Sequence, residues 1–195
     1  MLSYKTNLLP FRRIMIDKDD NELVYEVIHG STSSFEVLID RYQKTIFNMM
    51  LRMVNDTETA KDLTQDLFVQ AYERLGGFNF RFRFFSWIYR MALNKAIDWN
   101  RKRKPTCRLE LAESQLSDTQ VSNDSEIRSN LLQVALLRLN PKYRALVLLK
   151  YYCDLSYEEI QEATGVPLKK VRSRLFIARE MLRKELIVNG FFENE

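Results

Sequence analysis

Apolar residues recur every three or four positions through most of the chain, the spacing of helices that bury one side. The clearest run is Phe35, Leu38, Ile39, Tyr42, Ile46, Met49, Met50 and Met53. It follows Ser33, with Glu36 three residues on, in the pattern of a capping box. Such a stripe reads as core. A first helix is predicted ahead of it, from about Asp20 to Ile28, stopping at Gly30. A third begins near Asp56 and ends before Gly76-Gly77, with Ala60, Leu63, Leu67, Ala71 and Leu75 inward. A 100° advance per residue then leaves Asp62, Gln65, Asp66, Val69 and Glu73 outward, an acidic patch around an apolar Val that suits either solubility or docking. A fourth helix runs from about Ser86 to Lys104 and is stopped by Pro105.

One stretch departs from helical spacing. In FNFRFRFFSW, residues 78–87, Phe78, Phe80, Phe82 and Phe84 alternate with polar positions that include Arg81 and Arg83. Strict alternation is the pattern of a half-buried strand. Interleaved rings and guanidiniums also suit single-stranded nucleic acid, the rings stacking on unpaired bases and the cations holding phosphates. The residues themselves leave both readings open, with Phe78 and Phe84 the rings expected in the core.

Periodicity fades over residues 105–124, PTCRLELAESQLSDTQVSND, where Ser, Thr, Asn, Asp and Gln accumulate. This is the best domain boundary in the chain. Helical spacing resumes from about Ser125 to Leu139, and Asn140-Pro141 supplies an N-cap and a first-turn proline for a helix through Tyr152. The segment LSYEEIQEATGVPLKKVRSRLFIARE then reads as a short helix capped by Ser156 with Glu159, a turn at Thr164-Gly165-Val166, and a second helix from about Pro167. Val171, Leu175, Ala178 and Leu182 form the buried stripe of that helix, and Lys169 and Ser173, flanked by Arg172, lie opposite. The pattern is that of a helix-turn-helix, with an ordinary helical hairpin as the plainer reading.

Composition sharpens this picture. Among 195 residues, 46% are hydrophobic, enough to bury a core, while only 5 Gly and 4 Pro interrupt the chain, which favours an all-α fold over a turn-rich sandwich. The net charge of +4 is modest, but Arg81 to Lys104 holds eight Arg or Lys against the single acid Asp98, and Lys169 to Lys184 holds seven against Glu180. Two such clusters point to a polyanion. Cys107 and Cys153 are far apart and His29 is the sole histidine, so no metal site or disulfide framework is expected. Neither a Gly-rich phosphate loop nor a nucleophile–base spacing is found, so no cofactor, small-molecule substrate or catalytic residue is expected. The N-terminus lacks an apolar run long enough for a signal peptide, and no segment approaches a membrane span, which predicts a reduced, cytoplasmic protein.

DLTQDLFVQAYERL (62–75), FFSWIYRMALNKAIDWNRKRK (84–104) and LNPKYRALVLLKYYCDLSYEEIQEATGVPLKKVRSRLFIARE (139–180) resemble bacterial sigma factors of the extracytoplasmic-function group. The resemblance covers roughly residues 20–187. It implies two small helical domains joined by a flexible linker: an extension at 1–19, sigma region two at 20–104, the linker at 105–124, and sigma region four at 125–188. Asp62, Gln65, Asp66 and Val69 match the segment that docks on core RNA polymerase. Trp87, Tyr89 and Asn94 fall in the segment that recognises and melts the minus-ten element, and Lys95, Arg101, Lys102 and Arg103 match phosphate contacts. Phe80, Arg81, Phe82 and Arg83 stand where many members have a small polar loop, so this chain departs from the pattern there. Lys169, Lys170, Arg172, Ser173 and Arg174 lie on the helix that the resemblance places in the major groove of the minus-thirty-five element.

The implied function is a promoter-specificity subunit with core RNA polymerase, promoter DNA and an anti-sigma factor as partners. The competing readings are a conventional helix-turn-helix regulator that binds duplex DNA through residues 125–187, and a helical adaptor whose charged faces bind only proteins.

Overall fold

The computed structural model describes residues 18–102 and 124–188, which form eight α-helices and no strand among the described residues. A first unit comprises α1 (Asp20–Ile28), α2 (Thr32–Val54), α3 (Thr57–Arg74), a 3-10 turn at Leu75–Gly77, and α4 (Phe84–Lys102). A second comprises α5 (Asp124–Arg138), α6 (Pro141–Tyr151), α7 (Tyr157–Thr164) and α8 (Leu168–Val188). Residues 103–123, which include Arg103 and all but the last position of the linker expected at 105–124, lie outside the described residues.

The helix ends follow local chemistry. Asp19 and Glu22 form a capping box at the start of α1. Gly30, at φ 99°, turns the chain out of that helix through a conformation that a side chain would strain. The cap of α2 is Ser31, two residues before the expected Ser33, because the chain enters the helix directly from the Gly30 turn; the Ser31 hydroxyl accepts the Ser34 amide. Asp56 caps α3, and Asn140 with Pro141 opens α6 as predicted.

α2 is the axis of the first unit, packed against α1, α3 and α4. Its buried face carries Phe35, Leu38, Ile46, Met49, Met50 and Met53. In the second unit α8 packs against α5, α6 and α7 through Val171, Leu175, Ala178, Leu182 and Leu186. The two units also meet each other: α4 lies against α7 and α6, α2 lies against α6 and α5, and one apolar core runs through both.

FNFRFRFFSW does not form a strand. The Asn79 carboxamide accepts the Arg81 amide at 3.0 Å, and the Phe82 amide donates to the Asn79 carbonyl at 3.0 Å. This turn satisfies backbone groups locally that a strand would need a neighbour to satisfy. Phe78 and Phe84 both fall into the core, one on each side of the turn.

Candidate nucleic-acid interface

α3 carries the acidic face. Asp62, Gln65 and Asp66 are exposed, and Val69 is 54% exposed, a large fraction for an aliphatic side chain. Beside them runs an apolar groove of about 790 Å³ between α2 and α3, lined by Phe35, Ile39, Phe47, Phe68, Val69 and Tyr72 and edged by Lys44, Lys61 and Glu73. Sequence reasoning missed this groove. Its signal was present as Phe68 and Tyr72, one turn apart beside Val69, which widen the apolar surface of α3 beyond one buried stripe.

The turn before α4 displays Phe80 at 45% and Phe82 at 48% exposure. Buried Phe78 braces them, its ring edge-on to Phe80 at 5.2 Å and to half-buried Trp87 at 5.7 Å. Arg81 and Arg83 are exposed on the same turn, and Asn94 and Lys102 are exposed along α4. Lys95 pairs with Asp66 at 3.3 Å, tying the basic face of α4 to the acidic face of α3. Arg101 pairs with Asp98 at 3.1 Å.

Tyr89 differs from its expected place. At 4% exposure it points into the interior, where its hydroxyl meets Cys153 of the second unit, so in this conformation it offers no ring to a base. Burial raises its phenol pKa and pushes the Cys153 thiol up to about 12, so both groups are neutral near pH 7.

In the second unit, Ser156 and Glu159 form the expected capping box: the Glu159 amide donates to Ser156 Oγ at 3.1 Å and the Ser156 amide to the Glu159 carboxylate at 2.8 Å. Gly165, at φ 71°, closes α7 by donating its amide to the Gln161 carbonyl. The Gln161 side chain then receives the Leu168 amide at 2.8 Å, fixing the start of α8 against α7. With Val171, Leu175 and Ala178 turned inward, Lys169, Lys170, Arg172 and Ser173 are exposed and Arg174 is half-buried. The Arg172 guanidinium lies 3.7 Å from the Glu158 carboxylate and over the Tyr157 ring, so part of its charge is engaged within the motif.

The described residues thus form two helical bundles, the first ending in a basic helix and the second a helix-turn-helix. The Sigma-70 region 2 model matches residues 38–106 and the Sigma-70, region 4 model matches residues 129–182. The ECF RNA polymerase sigma factor SigW of Bacillus subtilis (strain 168) is 32% identical over 176 residues, covering 84% of this chain and 94% of that protein. The RNA polymerase sigma-H factor of Pseudomonas aeruginosa is 30% identical over 186 residues, covering 89% and 96%. Among solved structures, CnrH in complex with the cytosolic domain of CnrY shares the fold at a TM-score of 0.69 and 24% identity, covering 88% of this chain and 99% of that one. RpoE of Bartonella quintana, solved with the anti-sigma factor NepR, does so at 0.62 and 18%, covering 80% and 99%. This chain belongs to the extracytoplasmic-function group of RNA polymerase sigma factors.

Proposed function

We propose that this protein is a promoter-specificity subunit that binds core RNA polymerase, recognises promoter DNA and helps to open it, contributing binding surfaces rather than covalent chemistry. The observation that carries this reading beyond family membership is the turn at 78–83. Phe80 and Phe82 are large apolar rings held in solvent by a braced turn, next to Trp87 and the basic face of α4. Two such rings on one turn offer a surface on which unpaired bases can stack, at about 1–3 kcal/mol each.

In this reading the acidic face of α3 with Val69 docks on the polymerase, and α8 presents Lys169, Lys170, Arg172, Ser173 and Arg174 to the minus-thirty-five element. Arg101, Lys102 and Arg103 hold phosphates near the minus-ten element, with Lys95 available once its pair with Asp66 is exchanged. Tyr89 is excluded from base stacking while it stays buried. The apolar groove beside Val69 suits an amphipathic helix, and an anti-sigma factor is a fitting regulatory partner because one solved relative, RpoE, was captured with one bound. The protein acts with the polymerase in the cytoplasm; no described helix is long and apolar enough to cross a membrane.

Run-off transcription with purified core polymerase on genomic fragments tests the reading. Discrete transcripts that require this protein are the expected result. Specific duplex binding by the free protein without any stimulated transcription would favour a conventional helix-turn-helix regulator instead.

A further inference from the structure

Ahead of its first helix the chain is both apolar and basic. LLPFRRIMI, residues 8–16, holds Leu8, Leu9, Phe11, Ile14, Met15 and Ile16, and residues 1–16 contain the bases Lys5, Arg12 and Arg13 and no acid. The groove between α2 and α3 has the complementary character. Its walls are rings and aliphatic side chains, and an apolar surface rimmed by polar residues marks a docking site. Glu73 edges it, Asp62 is exposed on the same helix as Val69, and Glu36 and Asp40 are exposed on α2 beside Ile39. Of the two lysines at its edge, Lys61 is paired with Glu58 at 2.7 Å.

The described residues begin where such a segment could reach the groove. The Lys18 carbonyl accepts Arg41 Nη2 at 3.0 Å, which fixes the chain against α2. Arg41 lies midway between the groove residues Ile39 and Gln43, at the groove's own height along the helix and about 200° round from each. A helix with its side chains is about 10–12 Å across, so the half-turn round its solvent side is roughly 16–19 Å, a span of about six extended residues. Asp40 and Lys44 are exposed along that path. Residues 12–17 cover it, carrying Arg12 and Arg13 past Glu36 and Asp40 and leaving Leu8, Leu9 and Phe11 at the groove.

We propose that the groove between α2 and α3 is a docking site for this chain's own N-terminal segment, with Leu8, Leu9 and Phe11 entering beside Val69, so that core polymerase must displace the segment to bind. The last clause rests on the assignment of the α3 face to polymerase docking. Tethering makes the contact effective: a segment joined by a short linker faces its site at an effective concentration on the order of millimolar, so a contact too weak to hold separate molecules together is populated within one. Pro10 also suits a segment lying in an apolar groove, since it removes one backbone N–H that burial would leave unsatisfied.

Methyl NMR of the full-length protein reads the groove directly through Ile39 and Val69. Their signals should shift in a Leu8→Asp/Phe11→Asp double variant, because the Phe11 ring leaves them, and a synthetic peptide of residues 1–17 added to that variant should move them back, which also requires the variant to be folded. Wild-type signals should not change on dilution. Core polymerase should bind the double variant about tenfold more tightly, the relief expected if the wild-type groove is free in about one molecule in ten. Ile39 and Val69 signals identical in wild type and double variant would overturn the proposal. Wild-type signals that move to the variant's positions on dilution would overturn it too, since a second copy would then be the occupant. Shifted, peptide-restored signals with unchanged polymerase affinity would uphold the occupant and count instead against the α3 face as the polymerase contact.

Discussion

At the scale of single residues, the aromatic turn separates rings that hold the fold from rings that face outward. Phe84 is fully buried, so Phe84→Ala should lower stability by about 3–5 kcal/mol and impair every function together. Phe80→Ala and Phe82→Ala remove half-exposed rings and should change stability by only about 0.5 kcal/mol, while lowering open-complex formation and leaving the closed promoter complex nearly intact. Permanganate reactivity of unpaired thymines, with a melting curve for each variant, distinguishes the two classes; normal strand opening by the folded double variant would end the stacking role. Glu26 offers a pH test. Its carboxylate accepts from Lys18 and, at 2.6 Å, from the Ser34 hydroxyl, which together hold its pKa below the ordinary value of 4.5. A depressed acid contributes stability above its unfolded pKa and loses that contribution as pH falls through the lower, folded value. Chemical denaturation from pH 5 downward should therefore show a loss that Glu26→Gln reduces.

At the scale of elements, α3 is where periodicity said most. The exposed positions Asp62, Gln65, Asp66 and Val69 follow from a 100° advance, and Ala60, Leu67 and Ala71 are buried as expected. Leu63 is only half-buried, because the core-facing arc also takes in Thr64 and Phe68. The Thr64 hydroxyl donates to the Ala60 carbonyl at 2.7 Å, which lets a polar residue enter that arc at little cost. The turn at 78–83 was less legible, since alternation of Phe and Arg is the same string whether its amides join a strand or close on Asn79. For docking, Asp62 is a cleaner probe than Asp66, which is tied to Lys95. Asp62→Lys should weaken core-polymerase binding about tenfold, or ~1.4 kcal/mol, chiefly through slower association. Equal affinity by fluorescence anisotropy, with helicity unchanged, would take this face out of the polymerase contact.

At the scale of the whole molecule, the contact between the units lay beyond the reach of sequence patterns. Arg90 and Ala163 are 73 residues apart, and Arg144 and Met53 are 91 apart, so no periodicity relates them; an arginine within an apolar run such as RALVLL gives only a hint that its charge is satisfied elsewhere. That charge is satisfied thoroughly. Besides Met53, Arg144 donates to the carbonyls of Leu136 at 2.7 Å, Leu137 at 2.6 Å and Leu139 at 3.2 Å, closing the C-terminal end of α5 while it grips α2. Removing it takes a donor from the Leu137 and Leu139 carbonyls and one of two donors from the Met53 carbonyl, which keeps the Asn100 carboxamide at 3.3 Å; each buried acceptor left without a partner costs about 1–3 kcal/mol. Because one core spans the units, wild type should unfold in a single calorimetric transition whose van't Hoff and calorimetric enthalpies agree. In Arg144→Ala the junction weakens more than either bundle's own stripe of Leu, Met and Val contacts, so the transition should split, with the second unit melting first because it loses the closure of α5 as well. A single transition merely shifted to lower temperature would mean that apolar contact between the bundles, rather than the guanidinium, couples them.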